Sequence, residues 1–231
     1  MILFNTLDQN YFNFAYNSLK SFYKYNNYKF IIFNVNLTEF QKLKLKNISN
    51  NIIIINNLKY KNNLFTKLKS SKYFTQSYID NHVCCLFSNL EYLKNIYKNE
   101  LFIKCDLDTI FLGSLKNIEN INLENYHCAM CYDMKLTWYK ANTYNGGFVI
   151  FSNKYNFNKL FIEYLKNLKE SPAFLEQDFL NTLNIFTLDQ KYNYNIYNIN
   201  IYKNFLNENH SEIMAHFSGD KYIKGELCVI Q

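Results

Sequence analysis

The stretch Phe102-Ile-Lys-Cys-Asp-Leu-Asp-Thr-Ile-Phe111 decides the fold, because an apolar strand ends there at two carboxylates separated by one residue. In a continued strand, Asp106 and Asp108 would share a face, since side chains alternate between the two faces of a strand. Two carboxylates this close repel each other unless a cation lies between them. Hard oxygen ligands suit Mg²⁺ or Mn²⁺, and such an ion can act as a Lewis acid on a diphosphate. A solvated turn with two acidic residues is the structural alternative.

Strand-like and helix-like segments alternate upstream of this stretch. Runs of β-branched and aromatic residues predict strands at Ile2–Asn5, Lys29–Val35, Asn51–Asn56 and Leu101–Cys105. Apolar residues at helical spacing predict helices over Phe12–Phe22, over Leu37–Leu45 with Thr38 as the N-cap, and over Ile79–Tyr97. This order predicts an α/β fold with a mostly parallel central sheet flanked by helices, with ligands at the carboxyl ends of its strands.

The second half of the chain alternates less regularly. We predict strands at Cys128–Tyr132 and Phe148–Phe151, helices at Asn156–Leu168 and Phe174–Asn184, and an exposed strand or strand-like loop at Tyr192–Tyr202. The segment Tyr144-Asn-Gly-Gly147 is interpreted as a loop entering a strand, where adjacent glycines would let a ligand approach the backbone closely. A plain β-turn is the alternative for this segment.

Composition limits the chemistry that is available. The 231 residues fit one domain, the net charge is +6, and there is no arginine, so a bound diphosphate must be held by lysine, histidine, backbone N–H groups or a metal ion. The bias toward Asn, Lys, Ile, Tyr and Phe indicates an AT-rich genome of bacterial or viral origin. Short apolar runs and an N-terminus without signal-peptide features predict a soluble, cytoplasmic protein.

Cysteine spacing gives no zinc site. Cys128 and Cys131 form one CxxC pair, and a zinc ribbon requires a second pair that the sequence lacks. We therefore expect these two cysteines and Cys105 to be small buried hydrophobic residues.

Two further polar segments lie far downstream of the paired acids. Leu175-Glu-Gln-Asp178 places three polar groups at a helix start, where acidic residues also complement the helix dipole. Ala215-His-Phe-Ser-Gly-Asp-Lys221 combines a histidine, a glycine and a lysine that could ligate a metal ion and contact phosphate. Each segment taken alone has an ordinary structural interpretation.

In this order and spacing, the segments resemble family 8 glycosyltransferases, the retaining GT-A group that includes glycogenin and bacterial lipopolysaccharide galactosyl- and glucosyltransferases. The resemblance runs from Thr6 to Lys221. It implies a single GT-A domain with the nucleotide-diphospho-sugar transferase fold, divided into a nucleotide-binding half (1–108) and a donor-sugar and acceptor half (109–231). It implies transfer of a hexose from a nucleotide-sugar, by family habit a UDP-sugar, to a hydroxyl of a glycan, protein or lipid-linked acceptor, with Mn²⁺ or Mg²⁺ as cofactor.

The resemblance also implies roles for individual residues, which fall into four groups. The metal ligands would be Asp106, Asp108 and His216; the nucleoside contacts Thr6, Asp8 and Tyr11; the diphosphate contacts Gly219 and Lys221; and the donor-sugar contacts Asp133, Asn145 and Gly146. Gln177 and Asp178 match the pair beside the anomeric carbon, where Gln177 would stabilise positive charge and Asp178 would orient sugar hydroxyls. The implied reaction is a front-face transfer that retains anomeric configuration.

One departure concerns a cation. Family members carry an arginine or lysine on the long helix, whereas the aligned positions in this chain are Ser88 and Asn89. Lys94 or His82 could compensate.

Three other functions use similar residues. A glycosyltransferase acting on modified DNA bases fits the positive charge, but the scattered lysines form no basic stripe, so nucleic acid is not expected as a partner. A catalytically inactive sugar-nucleotide-binding protein would be expected to lose metal ligands first. A nucleotidyltransferase would be expected to carry a Gly- and Lys-rich loop where this chain has Leu7-Asp-Gln-Asn-Tyr11. Exposed aromatic residues would allow a homodimer.

Overall fold

The computed structural model describes residues 1–58, 62–71, 74–133, 143–196 and 211–217. Ten strands lie in these ranges: β1 Ile2–Leu7, β2 Lys29–Asn34, β3 Ile52–Asn56, β4 Phe102–Cys105, β5 Thr109–Phe111, β6 Cys128–Tyr132, β7 Tyr144–Phe151, β8 Ile185–Leu188, β9 Tyr194–Asn195 and β10 Met214–His216. The α-helices of the same ranges are α1 Phe12–Tyr25, α2 Glu39–Lys46, α3 Gln76–Tyr78, α4 Cys84–Ile96, α5 Phe157–Asn167 and α6 Glu176–Leu180. A π-helical turn, Ile79–Val83, joins α3 to α4.

A seven-stranded sheet in the order β3-β2-β1-β4-β7-β6-β8 forms the centre of the fold. The pairs β3–β2, β2–β1, β1–β4 and β6–β8 are parallel, whereas β7 is antiparallel to both of its neighbours, β4 and β6. The predicted mostly parallel α/β sheet is therefore confirmed. Because β4 lies between β1 and β7, its carboxyl end is at the middle of the sheet.

A second, three-stranded sheet was not predicted from the sequence. Its order is β5-β10-β9, with β10 antiparallel to β5 and parallel to β9. In this register His216 lies opposite Thr109. The small sheet thus brings the C-terminal histidine next to the residue that follows Asp108.

The central sheet buries apolar side chains on both faces. Along β1, Leu3 and Leu7 belong to a core shared with α1 and α2, whereas Ile2 and Phe4 belong to a core shared with α4 and α5. This alternation follows from the two-residue period of a strand. On the second face, the ring of Phe87 lies among those of four phenylalanines: Phe151, Phe157, Phe161 and Phe179.

Several local predictions are confirmed. The four N-terminal strands and the long helix lie within a few residues of their predicted bounds. Thr38 caps α2 in a full capping box with Gln41, in which each side chain binds the other residue's backbone N–H. The three cysteines predicted to be buried have no exposed surface. Within the described ranges, no helix combines the length and apolar character needed to cross a bilayer.

Two predictions in the second half are wrong. The Tyr144–Gly147 segment is not a loop or turn but the first half of β7. The helix predicted over Phe174–Asn184 is confined to Glu176–Leu180, because the Asn181 side chain binds both backbone groups of Tyr144 and fixes the helix end against β7. The residues after this point form β8 beside β6.

The predicted exposed strand at Tyr192–Tyr202 is also altered. A 3₁₀ turn over Gln190–Tyr192 buries the Tyr192 side chain, and the two-residue strand β9 follows it. Residues 197–202 of the predicted segment lie outside the described residues.

The Phe87 cluster gives a stability prediction. Phe87→Ala should lower the free energy of unfolding by about 3–5 kcal/mol, because it removes a ring that is 1 % exposed and leaves a cavity between α4, α5 and β7. Phe40→Ala is the matched control, since Phe40 is 64 % exposed and its loss should cost less than about 1 kcal/mol. Urea denaturation followed by circular dichroism measures both changes, and equal losses would contradict the packing described here.

Candidate functional site

The two predicted acidic residues lie in a bend directly after β4. The Asp106 N–H donates to Gly147 O at 2.7 Å, and Thr109 Oγ1 donates to Asp106 O at 2.9 Å. The strand ends at Cys105 as predicted, and β5 begins at Thr109, so the acids lie between two strands and not in a continued strand. The bend, rather than strand alternation, brings their carboxylates to one place.

His216 completes this acidic site from the small sheet. Its Nε2 lies 3.3 Å from Asp108 Oδ1 and 3.7 Å from Asp106 Oδ2. The backbone holds the same register, since Phe217 N donates to Asp108 O at 2.9 Å. One ligand atom from each of the three side chains lies within 4.8 Å of the other two. The sequence-predicted metal ligands are therefore together, although Asp108 and His216 are 108 positions apart in the sequence.

The donor set fits a divalent cation. Two carboxylates and an imidazole nitrogen are ligands that Mn²⁺ accepts. The imidazole ring is placed so that Nε2 faces both acids, while Nδ1 is buried and has no hydrogen-bond partner among the described residues. A Cβ atom added to Gly147 would lie 2.4 Å from the imidazole Cε1 and Nδ1 atoms. Gly147 therefore makes room for the histidine, a role that sequence reasoning missed.

A buried lysine lies beside the paired acids and was also missed. Lys104 Nζ is 2.6 Å from Asp106 Oδ1, donates to Gly146 O at 2.6 Å, and lies 4.0 Å from Glu176 Oε1. Burial alone would lower the pKa of Lys104, but the charges of Asp106 and Glu176 outweigh it and raise that pKa, so the side chain is an ammonium ion. The signal was a lysine inside an apolar strand, which is rarely buried without a partner.

Glu176 supplies a third carboxylate at the start of α6. Burial raises the pKa of Glu176, and the charge of Lys104 opposes that shift. The preceding residue, Leu175, has φ 49° and ψ −114°, a conformation that is strained for a branched side chain. Strain of this kind persists where the surrounding structure requires it, often at functional sites. The helix that follows this residue places Glu176 4.0 Å from Lys104 of β4 and Gln177 in contact with Gly146 of β7.

The pair predicted to lie beside the anomeric carbon is held at this helix start. Gln177 Oε1 accepts from Gly146 N at 2.9 Å, so the amide is fixed against β7. Asp178 Oδ2 accepts from Phe174 N at 2.8 Å and so closes the turn before the helix. Gly146 thus has its N–H bound by Gln177 and its carbonyl bound by Lys104.

The predicted sugar contacts are linked to each other. Asn145 Nδ2 donates to Asp133 Oδ2 at 3.3 Å, and Asn145 Oδ1 accepts from Gly147 N at 2.7 Å and from Asn193 Nδ2 at 2.9 Å. Asn145 is 6 % exposed, and Asn193 is fully buried. Asn193 is a further polar residue that the sequence did not single out. It connects the sugar-side residues to the small sheet.

The predicted nucleoside contacts lie at the carboxyl end of β1. Asp8 caps a 3₁₀ turn by accepting from Asn10 N and Tyr11 N, and its second oxygen lies 3.5 Å from His82 Nε2. The hydrogen bond from His82, together with those from the backbone, lowers the pKa of Asp8. His82 is carried by the π-helical turn, a feature that often occurs at functional sites.

An aromatic residue and an asparagine connect this end to the acidic site. Tyr78 stacks on His82 with ring centres 4.8 Å apart, and burial, followed by the charges of Glu176 and Asp106, raises the pKa of Tyr78. Asn5 Oδ1 accepts from Thr6 N, and Asn5 Nδ2 donates to Cys105 O and Asp106 Oδ1. The residues predicted to contact the nucleoside and the predicted metal ligands are therefore joined by direct contacts.

Helix α4 supplies no lysine to this site. The Ser88 hydroxyl donates to Cys85 O, and buried Asn89 donates to Asn57 Oδ1. Lys94 does not compensate, because its ammonium binds the carbonyls of Ser152 and Tyr155. Gly219 and Lys221, the predicted diphosphate contacts, lie outside the described residues.

The architecture described above is a GT-A glycosyltransferase fold, as the comparison with solved structures shows. Neither a protein-family model nor a curated protein sequence matches the chain. Several solved structures, however, match it over nearly its whole length. The galactosyltransferase LgtC, crystallised with donor and acceptor sugar analogues, superposes with a TM-score of 0.72 at 14 % identity, covering 99 % of this chain and 95 % of that one.

Two other glycosyltransferase structures have the same fold. The glycosyltransferase GlyE of Streptococcus pneumoniae TIGR4 gives a TM-score of 0.65 at 16 % identity, covering all of this chain and 60 % of GlyE. Mouse xyloside xylosyltransferase 1 gives 0.58 at 10 % identity, covering 94 % of this chain and 96 % of that one. At these identities the comparisons establish the fold, and the predicted fold class is confirmed.

Gly147 gives a prediction for metal binding. Gly147→Ala should weaken Mn²⁺ binding by at least about 10-fold, because the new methyl group would displace the His216 ring. Gly113→Ala is the matched control, since a Cβ there meets Ile213 no closer than 3.5 Å. Isothermal titration with Mn²⁺ measures both. Unchanged affinity in Gly147→Ala would show that this contact does not place the histidine.

The Asp8–His82 contact gives a pH prediction. Because the folded-state pKa of Asp8 is depressed, its contribution to stability is present above about pH 4 and is lost as the pH falls through the folded pKa. The free energy of unfolding should therefore fall less between about pH 5 and pH 3 in Asp8→Asn than in the unmodified protein. His82→Gln should reproduce part of this flattening. Parallel pH profiles in urea denaturation would contradict the assignment.

Proposed function

We propose that this protein is a metal-dependent glycosyltransferase that moves a hexose from a nucleotide-sugar to a hydroxyl of a glycan, protein or lipid-linked acceptor. The observation that carries the proposal is the convergence of Asp106, Asp108 and His216 beside Lys104 and Gln177 in a GT-A fold. One of the structural relatives is a galactosyltransferase, and another is a xylosyltransferase. By the motif resemblance, the donor is a UDP-sugar.

Each part of the site has a role in this proposal. Asp106, Asp108 and His216 would hold Mn²⁺ or Mg²⁺, and a divalent cation bound there stabilises negative charge on a departing nucleoside diphosphate. Thr6, Asp8 and Tyr11 bind the nucleoside. Gly219 and Lys221 contact the diphosphate. Asp133, Asn145 and Gly146 bind the donor sugar.

Gln177 and Asp178 act at the reacting carbon. The amide of Gln177 is already oriented by its bond from Gly146 N, so its dipole can stabilise positive charge at the anomeric carbon without reorganising. Asp178 orients sugar hydroxyls from the adjoining position. The bond from the anomeric carbon to the phosphate oxygen breaks, the acceptor oxygen bonds that carbon from the same face, and the leaving phosphate takes the hydroxyl proton, so the anomeric configuration is retained. The nucleotide-binding half is residues 1–108, and the sugar and acceptor half is residues 109–231.

A donor screen tests the proposal. The protein is incubated with a panel of UDP-, GDP-, ADP- and dTDP-hexoses with and without Mn²⁺, and release of free sugar and nucleoside diphosphate is measured. We expect Mn²⁺-dependent release from at least one donor, inhibited by EDTA. Asp106→Asn and Asp108→Asn should each slow release by about 100-fold or more, because each removes a charged metal ligand.

The controls separate catalysis from binding. Glu163→Gln removes an exposed carboxylate of α5 that pairs with Lys166, so release should be unchanged. Normal release in EDTA or in either aspartate variant would refute the metal-dependent proposal. Nucleotide-sugar binding without any release would instead indicate a catalytically inactive sugar-nucleotide-binding protein.

A further inference from the structure

Lys104 is a buried ammonium ion in a strand that is otherwise apolar. The side chain is 6 % exposed, and its charge lies between the carboxylates of Asp106 and Glu176. Burying a charge costs several kcal/mol even when it is paired, and apolar residues of similar size often stabilise a core equally well. A purely structural role therefore explains this lysine poorly. Its place beside the metal-binding residues suggests a role in binding.

Lys104 makes two close contacts and one longer one, to Glu176. An ammonium has three N–H donors, and the contacts to Asp106 Oδ1 and Gly146 O at 2.6 Å use two of them. Glu176 Oε1 lies 4.0 Å from Nζ, which is too long for a direct hydrogen bond. One hydroxyl oxygen about 2.8 Å from each atom fits this gap. Such a hydroxyl would accept from the lysine and donate to the carboxylate.

The surrounding residues place this gap on the sugar side of the site. Gly146 is gripped from both sides, by Gln177 at its N–H and by Lys104 at its carbonyl. Glu176 directly precedes Gln177, and its carboxylate lies 4.0 Å from Lys104 of β4. The gap therefore lies next to the residues that would hold the donor sugar.

Helix α4 brings no lysine to this site. Ser88 and Asn89 of α4 are bound to neighbouring protein groups, and Lys94 of the same helix binds carbonyl oxygens away from the site. With no arginine in the chain, Lys104 is the lysine that the described structure places in contact with the acidic site.

We propose that Lys104 is a donor-binding residue and that it holds, together with Glu176, one hydroxyl group of the transferred sugar. The ammonium donates to the hydroxyl oxygen, and the hydroxyl donates to the Glu176 carboxylate. The inference rests on the proposed function, because it names a contact to the sugar of the same donor. In this proposal Lys104 and Glu176 determine which hexose is accepted, because only a sugar with a hydroxyl at that position makes both hydrogen bonds.

A comparison of two ligands isolates the sugar contact. Isothermal titration in Mn²⁺ measures binding of UDP, and of UDP-galactose and UDP-glucose, to the unmodified protein and to Lys104→Met. If Lys104 holds a sugar hydroxyl, the ratio of UDP-sugar affinity to UDP affinity should fall by about 10-fold in Lys104→Met, as expected for a lost charged hydrogen bond. Lys94→Met also removes a largely buried lysine, but one remote from the site, so its ratio should be unchanged.

Monodeoxy donors identify the hydroxyl. The unmodified protein should bind one monodeoxy analogue of the preferred UDP-sugar about 10-fold more weakly than the parent, and Lys104→Met should bind that analogue and the parent equally well. Where Lys104→Met does not fold, as judged by circular dichroism, Glu176→Gln tests the other half of the pair, and discrimination of the same analogue should fall.

The outcomes separate this inference from the proposed function. Equal losses of affinity for UDP and UDP-sugar in Lys104→Met would show that Lys104 acts only through Asp106, and they would overturn the inference alone. So would undiminished discrimination of every monodeoxy donor. If the unmodified protein binds no nucleotide-sugar of the donor panel, both the proposed function and this inference fail.

Discussion

The close contact of β7 with the end of β4 is the constraint on which the site depends. Gly147 accepts the Asp106 N–H through its carbonyl, and its missing side chain leaves room for the His216 ring. Both contacts require β7 to run antiparallel beside β4, with a glycine at that level of the strand. The small sheet then places His216 beside the two aspartates, because β10 pairs with β5, the strand that directly follows Asp108. The end of β4, strand β7 and strand β10 are far apart in the chain, and they thus meet at Gly147.

Charge balance is the second constraint on this centre. Asp106, Asp108 and Glu176 concentrate negative charge around one buried ammonium, and each charged group taken from water costs several kcal/mol before compensation. Lys104 offsets part of that charge from within β4, and a divalent cation at Asp106, Asp108 and His216 would offset the rest. The arrangement suits a ligand that arrives with a metal ion. It also explains how a chain without arginine can place positive charge in this site.

The sequence predicts the features that depend on local pattern. The parallel strands β1 to β4, the long helix and the Thr38 N-cap follow from periodicity and short-range hydrogen bonding, and these agree with the structure. Features that depend on distant pairing could not be predicted in this way. The Gly146-Gly147 pair resembles a turn until β4 and β6 are known to flank it, and the end of α6 depends on Asn181 binding the backbone of Tyr144. Lys104 lies between these two cases. A lysine within Phe102–Cys105 breaks the apolar pattern of a central strand, but its partner Glu176 is known only from the fold.

The continuity of contacts across the site limits how its parts can vary. Asp8 binds His82, His82 stacks on Tyr78, and the charges of Glu176 and Asp106 act on Tyr78. From the other side, Asn5 joins the backbone of β1 to Asp106. Asp8 and Asp106 are therefore linked through packed side chains. These contacts depend on the strand geometry of the fold, which is shared with solved glycosyltransferase structures at 10–16 % identity.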